Sequence, residues 1–202
     1  MPSSSQQPTP ATGIVEVQPH SFVFEKRDAL DAQFCTQTIG RFEAAQDEHY
    51  AGRVGQLAWE GGEIKKSTDL VVSGKRHWRD IDRGLFRSLR DALFEFRATY
   101  PYFQGSFKDM GYALQRTLPG EYYTWHIDGG SHEFSHRQLV AIWYLNDVAG
   151  PGGETEFCYQ DLRIRPECGK LLLFPPFWTH RHRGVELQAG VKYIATTWVV
   201  FA

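Results

Sequence analysis

Apolar positions fall into two textures along the chain. Up to about residue 100 they recur in steps of three and four, and beyond it they come in short runs cut by turn residues. Leu30, Phe34, Ile39 and Phe42 form one apolar stripe. It predicts a helix ending near Ala45 and capped by Asp28 or Asp31. Ile81, Leu85, Leu89, Leu93 and Phe96 form a longer stripe. This predicts a second helix over residues 79–98, with one face packed on something flat and apolar. Residues 13–17 and 21–24 read as short strands, and glycines at 52, 55, 61 and 62 as turns. From residue 112 onward, runs rich in Val, Ile, Leu and aromatics occupy 112–117, 122–127, 138–145, 154–159, 162–165, 170–174, 180–183 and 191–201. Turn signals at Pro119-Gly120, Gly150-Pro-Gly-Gly153 and Cys168-Gly169 separate several of them.

Eight short strands with no helices between them predict an antiparallel sandwich or jelly roll. The expected fold is mainly β with supporting helices packed on one face. Residues 1–13, polar and proline-rich, read as a disordered tail. One domain is expected over 14–202, with helical support over about 14–105 and the jelly-roll core over about 106–202.

Composition narrows the partners. The chain has 202 residues, 42% of them hydrophobic, enough for one sizeable core. Its formal charge is -2, without a run of five like charges, so the basic footprint of a nucleic-acid binder and a polybasic membrane patch are both missing. No apolar run approaches the roughly 20 residues that span a bilayer, and the first residues lack the pattern of a signal peptide. Three cysteines, Cys35, Cys158 and Cys168, sit at unrelated spacings and form neither a disulfide framework nor a C-x-x-C site. A reducing cytoplasm is the expected compartment.

The richest chemistry lies in residues 126–136, which read HIDGGSHEFSH and contain two metal motifs. His132, Glu133 and His136 spell the H-E-x-x-H of zinc hydrolases, which needs a helix to bring both imidazoles to one face. Between Gly129-Gly130 and the strand at 138–145 there is room for about one turn, a poor platform for a metal. No third ligand follows on a second helix, so this stretch reads as a polar loop. His126 and Asp128 fit a strand better, because residues i and i+2 point to the same side. A later strand would then supply a second histidine. Two histidines and a carboxylate leave three metal positions open for a cosubstrate and oxygen. On spacing alone, the pair reads equally well as a solvated strand end.

The C-terminal stretches FPPFWTHRHRG (174–184) and GVKYIATTW (190–198) tip the balance. Here the sequence resembles the prolyl 4-hydroxylase-like branch of the Fe(II)- and 2-oxoglutarate-dependent dioxygenases. GEYYTWHID (120–128) resembles that family's Gly-rich turn and first metal strand. YLND (144–147) followed by GGETEF (152–157) resembles its YLN…GGxTxF segment, and KKSTDL (65–70) its R-x-S strand. The resemblance covers about 106–202 and implies a double-stranded β-helix. In the family, Lys or Arg stands ten residues after the distal histidine and holds the distal carboxylate of 2-oxoglutarate. Counting back from Lys192 gives His182. His180, two residues earlier on the same predicted strand, is the rival.

The resemblance thus implies Fe(II) held by His126, Asp128 and His182. Lys192 would pair with the C5 carboxylate of 2-oxoglutarate, Tyr144 would add its hydroxyl, and Thr196 would line the same pocket. It further implies O2 as cosubstrate, ascorbate as a reductant, and succinate and CO2 as products. Asp128 marks a hydroxylase, since related halogenases carry Gly or Ala there. Many prolyl hydroxylases have a tyrosine where this chain reads Gln115-Arg116-Thr117, a departure that touches the proximal cosubstrate contacts and substrate type. Tyr123, Arg116 and Glu133 are the expected substrate-facing residues, with loop 129–136 as a closing lid. Tyr122 and Trp178 are expected at the mouth, and Trp125 is expected to turn into the sheet interface. A protein or peptide side chain, proline first, is the implied substrate. A free amino acid or small metabolite is the alternative, and a zinc hydrolase or a non-catalytic jelly-roll binding protein stands further off.

Overall fold

The computed structural model describes residues 13–54 and 63–202. The predicted N-terminal tail, apart from Gly13, and the turns at Gly55, Gly61 and Gly62 lie outside the described residues. In chain order the strands are β1 (Val15–Glu16), β2 (Phe24–Lys26), β3 (Tyr50–Ala51), β4 (Lys65–Lys66), β5 (Thr68–Val71), β6 (Phe107–Asp109) and β7 (Ala113–Thr117). They continue with β8 (Tyr122–His126), β9 (Arg137–Tyr144), β10 (Thr155–Phe157), β11 (Leu162–Ile164), β12 (Leu171–Phe174), β13 (His182–Gly184) and β14 (Lys192–Phe201). Two α-helices precede most of them, α1 (Ala32–Ala44) and α2 (Arg79–Thr99).

The strands form two antiparallel sheets, the double-stranded β-helix architecture. The large sheet runs β1-β2-β12-β9-β14-β7-β5-β3, with β6 on the far end of β14. The small sheet runs β11-β10-β13-β8-β4. The segment before residue 106 contributes strands as well as helices, since β2 pairs with β12, β4 with β8 and β5 with β7. These pairings draw the start of the chain into both sheets.

Strand β9 is buried almost throughout because both its faces are covered. Leu139, Ala141 and Trp143 join the cluster built from α1 and α2, while Val140, Ile142 and Tyr144 face the space between the sheets with Phe157 and Phe174. Burying such large side chains contributes roughly 1.5–3 kcal/mol each. Helix α2 presents Ile81, Leu85, Leu89 and Phe96 as the periodicity predicts. Ser88 shares that face because its hydroxyl donates to the Ala29 carbonyl (2.7 Å) and accepts from Trp143 Nε1 (2.9 Å). Asp31 caps α1, accepting from Phe34 N at 2.7 Å. Leu30 therefore falls before the helix; of the predicted stripe Phe42 is buried and Phe34 and Ile39 pack half-buried on the core, with Cys35 and Thr38 joining the buried face.

The run at 180–183 also differs from expectation. Trp178–His180 form a 3-10 turn, closed by His180 N donating to Phe177 O (2.8 Å), and the strand starts only at His182. With its N–H used in that turn, His180 has no donor left for a ladder.

Candidate metal and cosubstrate site

Pairing within the small sheet creates the site. His126 ends β8 and lies directly opposite His182, the first residue of β13. Asp128 follows two residues on. One ligand atom from each of the three lies within 4.8 Å of the others. His182 Nε2 is 3.2 Å from Asp128 Oδ2, and His126 Nε2 is 3.9 Å from the same oxygen. Both rings are fixed from behind. His126 Nδ1 donates to Thr124 O (2.7 Å) and His182 Nδ1 to His180 O (2.9 Å). A carbonyl only accepts, so each Nδ1 carries the hydrogen and each Nε2 is left to face the carboxylate, the usual arrangement behind metal-binding imidazoles. The chain around Asp128 is held too, with Asp128 N and Gly129 N both donating to Pro176 O (3.0 and 2.8 Å).

The electrostatics favour a cation. Burial, reinforced by the neighbouring His182, pulls the His126 imidazole down to about 4, so it is neutral and ready to ligate at ordinary pH. Burial alone would raise the Asp128 carboxyl, but its hydrogen bond with His182 and the electrostatic pull of the neighbouring imidazoles and the Arg137 guanidinium hold it below the usual range. Two imidazoles and one carboxylate around a common point are a donor set that fits Fe(II).

A β-bulge shapes the neighbourhood. Between the pairs His182↔His126 and Gly184↔Tyr123, β8 advances three residues while β13 advances two. The extra residue lets Tyr123 and His126 face the same side, their rings stacked at 3.5 Å and 12°. Trp125 consequently points outward between Arg181 and Arg183, whose guanidinium carbons lie 5.5 and 4.7 Å from its ring. The expected turn of Trp125 into the sheet interface is corrected by this bulge.

One cavity of about 370 Å³ runs between the sheets and is lined by all three clustered residues and by Lys192, Thr196 and Tyr123. Lys192, Ile194, Thr196 and Trp198 alternate onto the cavity side of β14. Lys192 is only 5% exposed and its ammonium donates to Gly153 O at 2.9 Å. Burial pulls it down to about 8. Tyr144 is buried behind the wall, and its hydroxyl donates to Thr155 Oγ1 (2.7 Å), a residue that does line the cavity.

Other expected residues are placed elsewhere. His180 turns away, with Nε2 bonded to Ser21 O (2.9 Å) and Nδ1 to Thr179 Oγ1 (2.9 Å). Arg116 lies on the opposite face of β7 from the cavity, paired with Glu43 at 2.9 Å. Glu133 is exposed in a run of turns over residues 132–136, so His132 and His136 have no helix to share. Trp178 is 72% exposed and outside the cavity lining.

Several lining residues escape sequence reasoning. Gln115 and Thr117 face the cavity because β7 pairs Thr117 with Lys192 and Gln115 with Ile194. Lys65 enters as half of a buried ion pair with Asp69 (2.6 Å). Arg137 donates from Nη1 to Asp128 O (2.7 Å), with its guanidinium between the rings of Phe134 and Trp198 at 4.0 and 3.8 Å. Strand register would have found the first two; nothing local marks the others.

The fold is a double-stranded β-helix, and the cluster it carries is a set of two histidines and one carboxylate. The sequence model of the 2OG-Fe(II) oxygenase superfamily matches residues 112–200. No curated protein matches the chain. Solved structures do. A viral collagen prolyl hydroxylase from Paramecium Bursaria Chlorella virus-1, in complex with 2-oxoglutarate, is similar with TM-score 0.68 at 17% identity, covering 93% of this chain and 100% of that one. A prolyl hydroxylase from Trichoplax adhaerens, in complex with a hypoxia inducible factor peptide fragment, gives TM-score 0.75 at 15% identity, with 90% and 84% covered. A Pseudomonas putida prolyl-4-hydroxylase gives 0.68 at 15%, with 90% and 93% covered. At these identities the likeness is one of fold. Among the described residues, no helix is long and apolar enough to cross a membrane.

Proposed function

We propose that this protein is a 2-oxoglutarate-dependent dioxygenase, a single domain over residues 14–202, that hydroxylates a protein or peptide side chain, with proline the first candidate. The observation that carries the reading is the meeting of His126, Asp128 and His182 with the buried Lys192 ammonium in one cavity. A cation site and an anion site at opposite walls match the two ends of metal-bound 2-oxoglutarate. Under this assignment His126, Asp128 and His182 hold Fe(II). Bound there with 2-oxoglutarate and O2, the iron supplies the oxidant for hydroxylation, and the cosubstrate leaves as succinate and CO2.

The chain's own groups then have separate tasks. Lys192 receives the C5 carboxylate as a point charge with little competing solvent. Thr196 lines the wall beside it, and Tyr144 acts through Thr155. Val140, Ile142 and Ile194 keep that end apolar and exclude water. Tyr123 steadies the His126 ring and borders the substrate's approach. Proline-containing peptides are favoured because the related folds belong to prolyl hydroxylases, two of them named for collagen or a peptide fragment. A reducing cytoplasm, with ascorbate keeping the iron ferrous, suits the three free thiols.

The test supplies Fe(II), 2-oxoglutarate and ascorbate, and measures succinate release and a +16 mass product on proline-containing peptides. Peptide-dependent succinate with a hydroxylated proline is expected. Stimulation by free amino acids alone would move the substrate to a small metabolite. Zinc-dependent peptide cleavage indifferent to 2-oxoglutarate would overturn the reading.

A further inference from the structure

Helix α2 carries more apolar surface than the core takes up. Ile81, Leu85, Ala92 and Phe96 are buried in the cluster against the large sheet. Leu89 and Leu93 carry the apolar arc onto one flank of the helix, and there Phe86 and Phe94 are left exposed. That flank and β6 enclose a groove of about 530 Å³, larger than the cavity between the sheets. Phe107 closes one end, stacked with Phe103 at 4.4 Å and with Phe201 at 5.2 Å. The groove is polarised along its length. Phe86 stands at its apolar end, and Arg97 lies about 17 Å further along the helix at 1.5 Å per residue. The Arg97 guanidinium carbon is 5.9 Å from the Phe107 ring, and Lys108 is the next residue of β6. Among the described residues neither cation has a carboxylate partner. The other charged groups of the lining are already engaged. Arg90 pairs with Asp91 (2.7 Å), and Asp109 accepts from Gly111 N (2.9 Å) and Tyr112 Oη (3.1 Å).

We propose that this groove binds a free long-chain fatty acid, with its alkyl chain along Phe86, Leu89, Leu93 and Phe107 and its carboxylate at Arg97 and Lys108. Charge complementarity selects the occupant. Two cations without partners at one end of an apolar trough match an apolar body with a single anionic head. A second copy docked across a two-fold axis would set the same cations against each other. An acidic peptide helix would bring several carboxylates where only one end of the groove is cationic. Size and lining agree as well. Small-molecule pockets commonly span about 300–1,000 Å³ and are mostly apolar, with a few polar groups that fix orientation. The site lies on the far side of the large sheet from the metal cluster, so it is independent of the reading given to that cluster.

The experiment titrates the full chain with dodecanoate by calorimetry and follows backbone amide shifts by NMR, with Mn(II) and 2-oxoglutarate present throughout. The expected result is binding of one dodecanoate per chain, with shifts centred on α2 and β6. Octanoate should bind at least tenfold more weakly, because each buried methylene is worth up to about fourfold. Dodecylamine should bind poorly. The double variant Arg97→Glu, Lys108→Glu should weaken dodecanoate roughly tenfold or more, the loss expected for a charge-assisted hydrogen bond. Both residues are exposed, so this variant keeps its fold. Phe86→Gln should weaken every chain length while the preference for acid over amine persists. No binding of dodecanoate, equal binding of dodecylamine, or parent-like affinity in the double variant would overturn the proposal. So would shifts centred on the cavity between the sheets, binding that accompanies dimerisation, or binding only to phosphatidylserine vesicles.

Discussion

The small and large sheets face each other across one cavity, yet their polar groups are finished to different degrees. On the small sheet each imidazole is already fixed by a backbone carbonyl, and the Asp128 segment by Pro176 O. On the large sheet Lys192 has one carbonyl partner and is almost wholly buried. A buried ammonium with so few partners is costly, and the protein meets that cost partly by loosening its proton. The comparison teaches that one wall is organised by its own backbone, whereas the other keeps a buried ammonium that suits the anion proposed above. Removing a group from the first should abolish binding, and removing one from the second should weaken it.

The largest effect is expected from the small sheet. His182→Ala or Asp128→Ala should eliminate binding of Mn(II), an inert surrogate for Fe(II), in calorimetric titration. His180→Ala should leave it measurable, because that ring is bonded to Ser21 O and faces away. The opposite order would transfer the ligand role to His180. Lys192→Ala comes next. Leaving a carboxylate unpaired in a partly dehydrated pocket commonly costs about 2–5 kcal/mol, or at least tenfold in 2-oxoglutarate affinity at roughly 1.4 kcal/mol per decade. Mn(II) binding should survive, and Lys192→Arg should retain part of the affinity. Unchanged 2-oxoglutarate affinity in Lys192→Ala would remove the anion role.

The same lysine gives a pH signature. Binding uses the ammonium form, present below about 8 and lost as pH rises through that value. Affinity for 2-oxoglutarate should be level up to about pH 8 and then fall, approaching tenfold per unit, with proton uptake on binding. A curve flat to pH 9.5 would contradict it. Tyr144→Phe should cost less, about 0.5–1.5 kcal/mol for the bond to Thr155. The smallest change is expected from Arg116→Gln. Its partly exposed pair with Glu43 lies outside the cavity and is worth about 0–1 kcal/mol.

Much of this was legible because strand alternation and helical periodicity are local. The strand run at 138–145 and the stripe on α2 depend on neighbouring residues only, and both appear nearly as predicted. Motif spacing carried the metal candidates for the same reason. What escaped was long-range or corrective. The pairing that puts Gln115 and Thr117 opposite Lys192 depends on register between distant strands. His180 was expected on a strand, but its N–H closes a turn onto Phe177 O that residue alternation does not announce. Arg137 reaches Asp128 through tertiary packing between two rings, for which no sequence pattern exists.

The bulge in β8 makes architecture and chemistry separable by one codon. Deleting Thr124 or Trp125 would restore a regular ladder between β8 and β13 and leave Tyr123 and His126 two residues apart, a spacing that keeps both on one side. Inserting a residue there would instead turn one of them to the opposite face, because a one-residue shift reverses every side chain beyond it. Loss of chemistry without loss of shape therefore lies a single in-frame triplet away, in the direction of insertion.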